Sequence, residues 1–292
     1  MLILTISVNF LKIFILIIEE FMKNSKEFNK SQNAKTIAFV HYKGGTGKTT
    51  SCLNIAGWLV KMNKNVLVID LDPQGNATAG LGIDRKSCES SIYDVFFGKH
   101  HIEEIILETD SKVHLAPSSV DLLAVETQMV GQNNNNSILR EKLGEIEKYY
   151  DYILIDVPPG STLLMINGII ASENIIIPLD SGVFAYEAME TLKILILDLY
   201  EELKIETNIM MILLRKYSNS FFDTRPTTEI KKMLEEFLAH NLTVNVSLFT
   251  IPFSRKIYKS QLKGMPISHF APFSNVGRAY KRIAEEIIAY SK

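Results

Sequence analysis

His41-Tyr42-Lys43-Gly44-Gly45-Thr46-Gly47-Lys48-Thr49-Thr50 closes one apolar strand candidate, Thr36–His41, and opens a segment with helical spacing, Thr49–Met62. A strand, a glycine-rich turn and a helix, in that order, are what a phosphate cradle requires. Gly44, Gly45 and Gly47 let the backbone turn its N–H groups inward and approach an anion without Cβ clashes. The helix starting at Lys48 aims its free N–H groups and its dipole at the same place. Lys48 is the cation expected to neutralise β- and γ-phosphates, and the Thr49 hydroxyl is the expected Mg²⁺ ligand. Thr46 and Thr50 complete the stretch Gly44–Thr50 expected to hold the nucleotide.

Working outward, six further strand candidates follow: Asn65–Asp70, Val113–Pro117, Tyr152–Asp156, Asn174–Pro178, Ile209–Leu214 and Val244–Phe249. Most are unbroken runs of Ile, Val and Leu, the signature of strands buried on both faces of a parallel sheet. Helical spacing returns between them, at Phe184–Leu203 and Thr227–His240. The expected fold class is therefore α/β, a doubly wound, mostly parallel sheet flanked by helices. The polar run Gln132–Asn136 reads as a loop before a helix near Ser137. Residues 35–292 read as one domain behind a leader, residues 1–34.

Two of the apolar runs end in acids. Asn65–Asp70 delivers Asp70 and, two residues on and on the same face, Asp72. Tyr152–Asp156 delivers Asp156. A carboxylate at the carboxyl end of such a strand lies beside the glycine-rich turn, where it can hold a metal or orient a water. For Asp70 and Asp72 the competing reading is a cap on the helix that follows.

The loop departs from G-x-x-x-x-G-K-[ST], because Tyr42 stands at the first glycine position and Lys43 directly precedes the glycine pair. Lys43–Thr50 (KGGTGKTT) resembles the deviant Walker A of the ParA/MinD/nitrogenase-iron-protein superfamily. Val66–Gly82 (VLVIDLDPQGNATAGLG) is similar to the second motif of ParA/Soj partition ATPases, and Tyr152–Pro159 (YILIDVPP) to their Walker B. Further likeness runs through Asn174–Glu187, through Ile251-Pro252 with Gly264–Ile267, and through Ser274–Glu286. Carried over residue by residue, the resemblance makes Lys43 a lysine that reaches the partner subunit's nucleotide. It makes Asp72 the residue that activates water near the metal, Asp156 a holder of the Mg²⁺ shell, and Pro252 part of the nucleotide site. It implies ATP and Mg²⁺ as cofactors, an ATP-dependent homodimer, non-specific DNA and a ParB-like activator as partners, and a cytoplasmic, nucleoid-associated ATPase of chromosome or plasmid partitioning. The chain departs from the family pattern at Val157 and Gly160 after Walker B, at Val183-Phe184, and at Phe253; Arg225 answers a family arginine at altered spacing.

Composition limits the alternatives. The formal net charge of -2 rules out a global basic field, so any nucleic-acid contact must come from a local patch. One exists: between Ile251 and Arg282 stand Arg255, Lys256, Lys259, Lys263, Arg278, Lys281 and Arg282, with no Asp or Glu among them. Such segregation suits a backbone-phosphate footprint, with Arg255, Lys256, Lys259 and Lys263 as the candidate DNA contacts, although a solvated basic face has the same composition. Cys52 and Cys88, both before Walker B and not in a C-x-x-C pair, argue against a disulfide framework or an iron–sulfur site. Trp58 reads as core, and His41, His114, His240 and His269 are too scattered for a metal site. Met1–Ile18 is apolar, with Lys12 its one charge, and is close to membrane-spanning length. It is either an anchor or a stretch upstream of the true start; the polar run from Met22 favours a start there. Were residues 1–18 an anchor, the alternative would be a MinD-like ATPase positioning a protein assembly at a membrane.

Overall fold

The computed structural model describes residues 34–129, 135–160, 162–180, 208–217, 232 and 246–290. The apolar stretch Met1–Ile18, Met22, Ser161, Val183-Phe184, Arg225 and the two helix candidates Phe184–Leu203 and Thr227–His240 lie outside them, as does most of Gln132–Asn136.

Eight strands form one sheet in the order β3-β4-β2-β5-β1-β6-β7-β8. They are β1 (Lys35–Phe39), β2 (Val66–Asp70), β3 (Leu107–Glu108), β4 (His114–Ala116), β5 (Tyr152–Asp156), β6 (Asn174–Asp180), β7 (Asn208–Tyr217) and β8 (Ser247–Pro252). Every neighbouring pair is parallel except β3–β4. The expected α/β class with a mostly parallel sheet is the one observed.

Alternation within each strand explains the unbroken apolar runs. Leu67, Ile69, Ile153, Ile155, Ile175 and Ile177 enter one core cluster; Val66, Val68, Tyr152, Leu154 and Ile176 enter the other. A strand buried on both faces has no polar side to show. The second cluster is roofed by helix α1 (Lys48–Lys61) and the last described helix, Asn275–Tyr290, through Leu53, Ile55, Leu59, Tyr280, Ile283 and Ile287. Trp58, in that layer, is buried as its helical position suggested.

Two strands, β7 and β8, differ most from expectation. β8 begins at Ser247 and runs to Pro252, three residues later than the pattern at Val244–Phe249 suggested. Its register is set by pairing with β7, Met211 opposite Ser247 and Arg215 opposite Ile251, and not by the local pattern. β7 likewise continues past Leu214 to Tyr217, which draws Arg215 into the sheet. The two-residue β3 is an edge too short to leave a periodic signal.

β1 lies between β5 and β6, so the connections leaving it and arriving beside it diverge at its carboxyl end. In a doubly wound sheet that divergence opens the crevice where ligands bind.

Candidate functional site

The crevice is built on the loop between β1 and α1. Gly45 (φ 76°) and Gly47 (φ 93°) adopt left-handed backbone, which an L side chain resists. Gly47 occupies the N-cap of α1, and no side chain caps the helix. The first-turn N–H groups therefore face the crevice unclaimed by a cap, the arrangement that receives an anion. A Cβ at Gly44 or Gly45 would meet nothing within 4 Å, so the loop lies open above them.

Lys48 is buried beneath this loop, its Nζ donating to the carbonyl of His41 at 3.0 Å and that of Lys43 at 3.4 Å. Burial pulls its pKa down, while Asp156 and Asp72 pull it back up. His41 is driven down to about 4, first by burial and then by Lys48 and Lys43, so its imidazole is neutral at pH 7. Lys43 itself is exposed at the rim.

Asp70 and Asp156 sit opposite each other in the register of β2 and β5. Both follow a residue of the first core cluster, so strand alternation turns both toward α1. Both are fully buried. Asp70 Oδ2 accepts from the Thr78 N–H and hydroxyl, each at 2.8 Å, and Oδ1 from the Asp72 N–H at 3.2 Å. It thus ties the end of β2 to helix α2 (Asn76–Gly80), which favours the capping reading for this residue. Burial pushes its carboxyl up to about 6 despite those bonds. Asp156 has neither oxygen in a hydrogen bond among the described residues. Burial raises its pKa well above the usual range, and the nearby Asp70 raises it further. Thr49 and Lys48 oppose the rise, although the Thr49 hydroxyl approaches without completing a bond of standard geometry. Asp72 is buried at the crevice wall, and its Oδ1 accepts the Gln74 N–H at 2.9 Å.

The resulting cleft encloses about 600 Å³. Gly44, Gly45, Gly47, Lys48, Thr49, Thr50 and Asp72 all line it, and Asp156 lies beneath it against Thr49. Thr46 is buried within the same loop. Pro252 is not brought there: it lines a separate groove with Trp58, Phe273 and Arg278. Arg255, Lys256, Lys259 and Lys263 are exposed on or just after one helix, Arg255–Leu262. That helix also turns Tyr258, Gln261 and Leu262 into the cleft, and Gln261 donates to the Thr50 hydroxyl at 3.2 Å.

Two cleft neighbours carried no signal in the sequence. Arg215, among the last paired residues of β7, donates from Nη1 to the Thr46 carbonyl at 2.8 Å. Asn54, buried in α1, donates to the Thr50 carbonyl at 2.7 Å and accepts from the Ile267 N–H at 2.6 Å. An arginine late in a strand, or a polar residue on an otherwise apolar helix, becomes informative only once the fold says what faces it.

Comparison with known proteins closes the question of family. The model of a family described as "AAA domain" matches residues 34–211. The chain is 31% identical over 256 residues to the chromosome-partitioning ATPase Soj of Treponema pallidum, covering 87% of this chain and 97% of that protein. It is 30% identical over 260 residues to the sporulation initiation inhibitor protein Soj of Bacillus subtilis, covering 87% and 98%. This chain is a P-loop ATPase of the ParA/MinD family. Among solved structures, the septum site-determining protein MinD of Pyrococcus horikoshii, complexed with Mg-ADP, superposes with a TM-score of 0.68 at 26% identity, covering 89% of this chain and 99% of that one.

In this ATPase the donor set fits the Mg²⁺ that accompanies ADP in the Pyrococcus protein. A buried carboxylate with both oxygens unclaimed, beside a threonine hydroxyl at the start of α1, offers the hard oxygen ligands that Mg²⁺ takes.

Proposed function

We propose that this ATPase is a nucleotide-controlled DNA-binding switch of the partitioning type. ATP is held by Gly44–Thr50, Lys43 reaches the nucleotide of a second copy, and Asp72 orients the hydrolytic water. Bound Mg²⁺, held by Thr49 and Asp156, would neutralise charge on the β- and γ-phosphate oxygens. The ATP-bound homodimer binds DNA without sequence preference through Arg255, Lys256, Lys259 and Lys263, and a ParB-like protein triggers release by stimulating hydrolysis. Such a switch works in the cytoplasm on the nucleoid, as chromosome or plasmid partitioning requires. Among the described residues no helix is long and apolar enough to cross a membrane.

One observation carries this reading: the helix Arg255–Leu262 belongs to both surfaces. One side supplies Tyr258, Gln261 and Leu262 to the nucleotide cleft, with Gln261 bonded to Thr50, while Arg255, Lys256 and Lys259 stand exposed along it. Anything that moves Thr50 on nucleotide binding therefore pulls directly on the basic helix. The curated relatives from Treponema and Bacillus, a chromosome-partitioning ATPase and a sporulation inhibitor, support the same reading.

The test is DNA binding by the protein started at Met22, with ATP, ADP or no nucleotide, over a salt series. Four phosphate contacts give a slope of log affinity against log salt of about -3.6. Binding should require ATP, ignore sequence and follow such a slope. Equal binding in all three nucleotide states, or none in any, would overturn the switch and leave the ATPase in search of another cargo.

A further inference from the structure

Among the described residues, the two acids at the cleft, Asp72 lining it and Asp156 beneath it, come from one side. Asp72 and Asp156 are delivered by β2 and β5, which lie to one side of the loop-bearing β1. Across β1, on the β6–β7 side, Arg215, whose register partner on β6 is Asp180, bonds the loop. Its guanidinium occupies the space above Gly47 that a Cβ would fill, so the absence of a side chain at 47 admits it to the cradle. Once there it is poorly used. Nη1 bonds the Thr46 carbonyl, and the buried Nε–H has no hydrogen-bond partner among the described residues. Arginine presents five donors in a planar fork, and a buried donor left unpaired is costly.

Lys48 and Arg215 thus converge on a loop that carries Lys43 at its exposed rim and whose helix N-terminus is uncapped. Burial first, and then Lys48 and Lys43, hold His41 neutral beneath the same loop. A planar, half-used guanidinium beside turned-in backbone N–H groups is matched to phosphate oxygens, which it can bind bidentately.

We propose that Arg215 is an intramolecular phosphate ligand of the nucleoside di- or triphosphate, exchanging the Thr46 carbonyl for phosphate oxygens when nucleotide enters the cleft. The inference rests on the ATPase assignment and adds to it a cationic arm opposite the metal side. Arg215 and Lys48 then grip the phosphate chain from two directions within one chain, independent of Lys43 and of any dimer.

The experiment is calorimetric titration of the full chain with ADP, and with inorganic pyrophosphate as a probe that has no base or ribose. Charge-assisted hydrogen bonds of this kind correspond to roughly a 10- to 100-fold change in affinity. Arg215→Ala should weaken ADP and pyrophosphate in parallel by that factor, and Arg215→Lys should recover part of the loss. Thermal melting of the nucleotide-free variants checks folding; should Arg215→Ala melt early, the contrast between Arg215→Lys and Arg215→Gln carries the test. Unchanged ADP affinity, tighter binding, or a loss for ADP without one for pyrophosphate would each overturn the proposal. Failure of the wild-type chain to bind ADP at all would instead sink the nucleotide reading of the cleft, a distinguishable result.

Discussion

Asp70 and Asp156 are register partners on adjacent strands, equally buried, each ending an apolar run, yet their surroundings are opposite. Asp70 takes two bonds from Thr78 and one from the backbone of Asp72. Asp156 takes none. Burying an ionised carboxylate without partners is among the most expensive things a fold can do, and native structures keep such groups when something else completes them. One strand end is finished by hydrogen bonds from the protein itself; the other is not, among the described residues. The contrast sets a carboxylate satisfied by the fold against one whose partners the described residues do not supply.

The largest expected effect tests the unfinished end. Replacing Asp156 by Asn keeps the shape and removes the charge. ATP turnover should fall roughly 10- to 100-fold, as for a group that orients a metal shell. Stability of the protein free of Mg²⁺ and nucleotide should not fall, and at pH 8 should rise, because each unit by which burial raises a carboxyl pKa corresponds to about 1.4 kcal/mol against the charged form. Lost attraction to Lys48 offsets part of that gain. Steady-state ATPase assays and thermal melts decide it; a variant that melts early yet hydrolyses ATP normally would break the comparison.

Asp70→Ala should do the reverse. It strands the N–H groups of Thr78 and Asp72 and the Thr78 hydroxyl proton, at a cost of about 1–3 kcal/mol for each donor left unsatisfied. At roughly 2–4 °C per kcal/mol, melting should fall by several degrees. Turnover per folded molecule should change by a smaller factor than in the Asp156 variant. If Asp70→Ala leaves the melting temperature in place, the bonds to Thr78 do not hold β2 to its helix.

Little of this contrast could be read from the sequence, and the reason is physical. VLVID and YILID are nearly the same string, and hydrophobic pattern reports only that both acids follow a buried strand. What separates them is Thr78, eight residues beyond Asp70 and brought back by the turn at Gly75, a contact that periodicity does not encode. The phosphate loop was legible because its chemistry is local: glycine freedom, the lysine and the helix start lie within ten residues. The sheet class was legible because two-sided burial leaves an unbroken apolar run. Arg215 was not, since its meaning depends on a neighbour 169 residues away, and the start of β8 was not, since register with β7 set it.

The smallest effect is a slope. A carboxyl whose pKa is raised in the folded state contributes stability that is fully present below its unfolded value, near 4, and is lost as pH rises through the folded value. For Asp70 the folded value is about 6, burial being the first cause, so nucleotide-free protein should lose stability between about pH 4 and pH 6. Its share of that slope is at most about 1.4 kcal/mol per pH unit. Asp70→Asn should flatten the stability profile in that window. Asp156→Asn should leave the Asp70 share in place while removing its own, which acts with the same sign because burial raises that carboxyl too. Chemical denaturation at half-unit pH steps measures both. If neither substitution changes the slope, both acids are ionised across the window, and Asp156 must then have found a counter-charge within the protein, which would return it to the same class as Asp70.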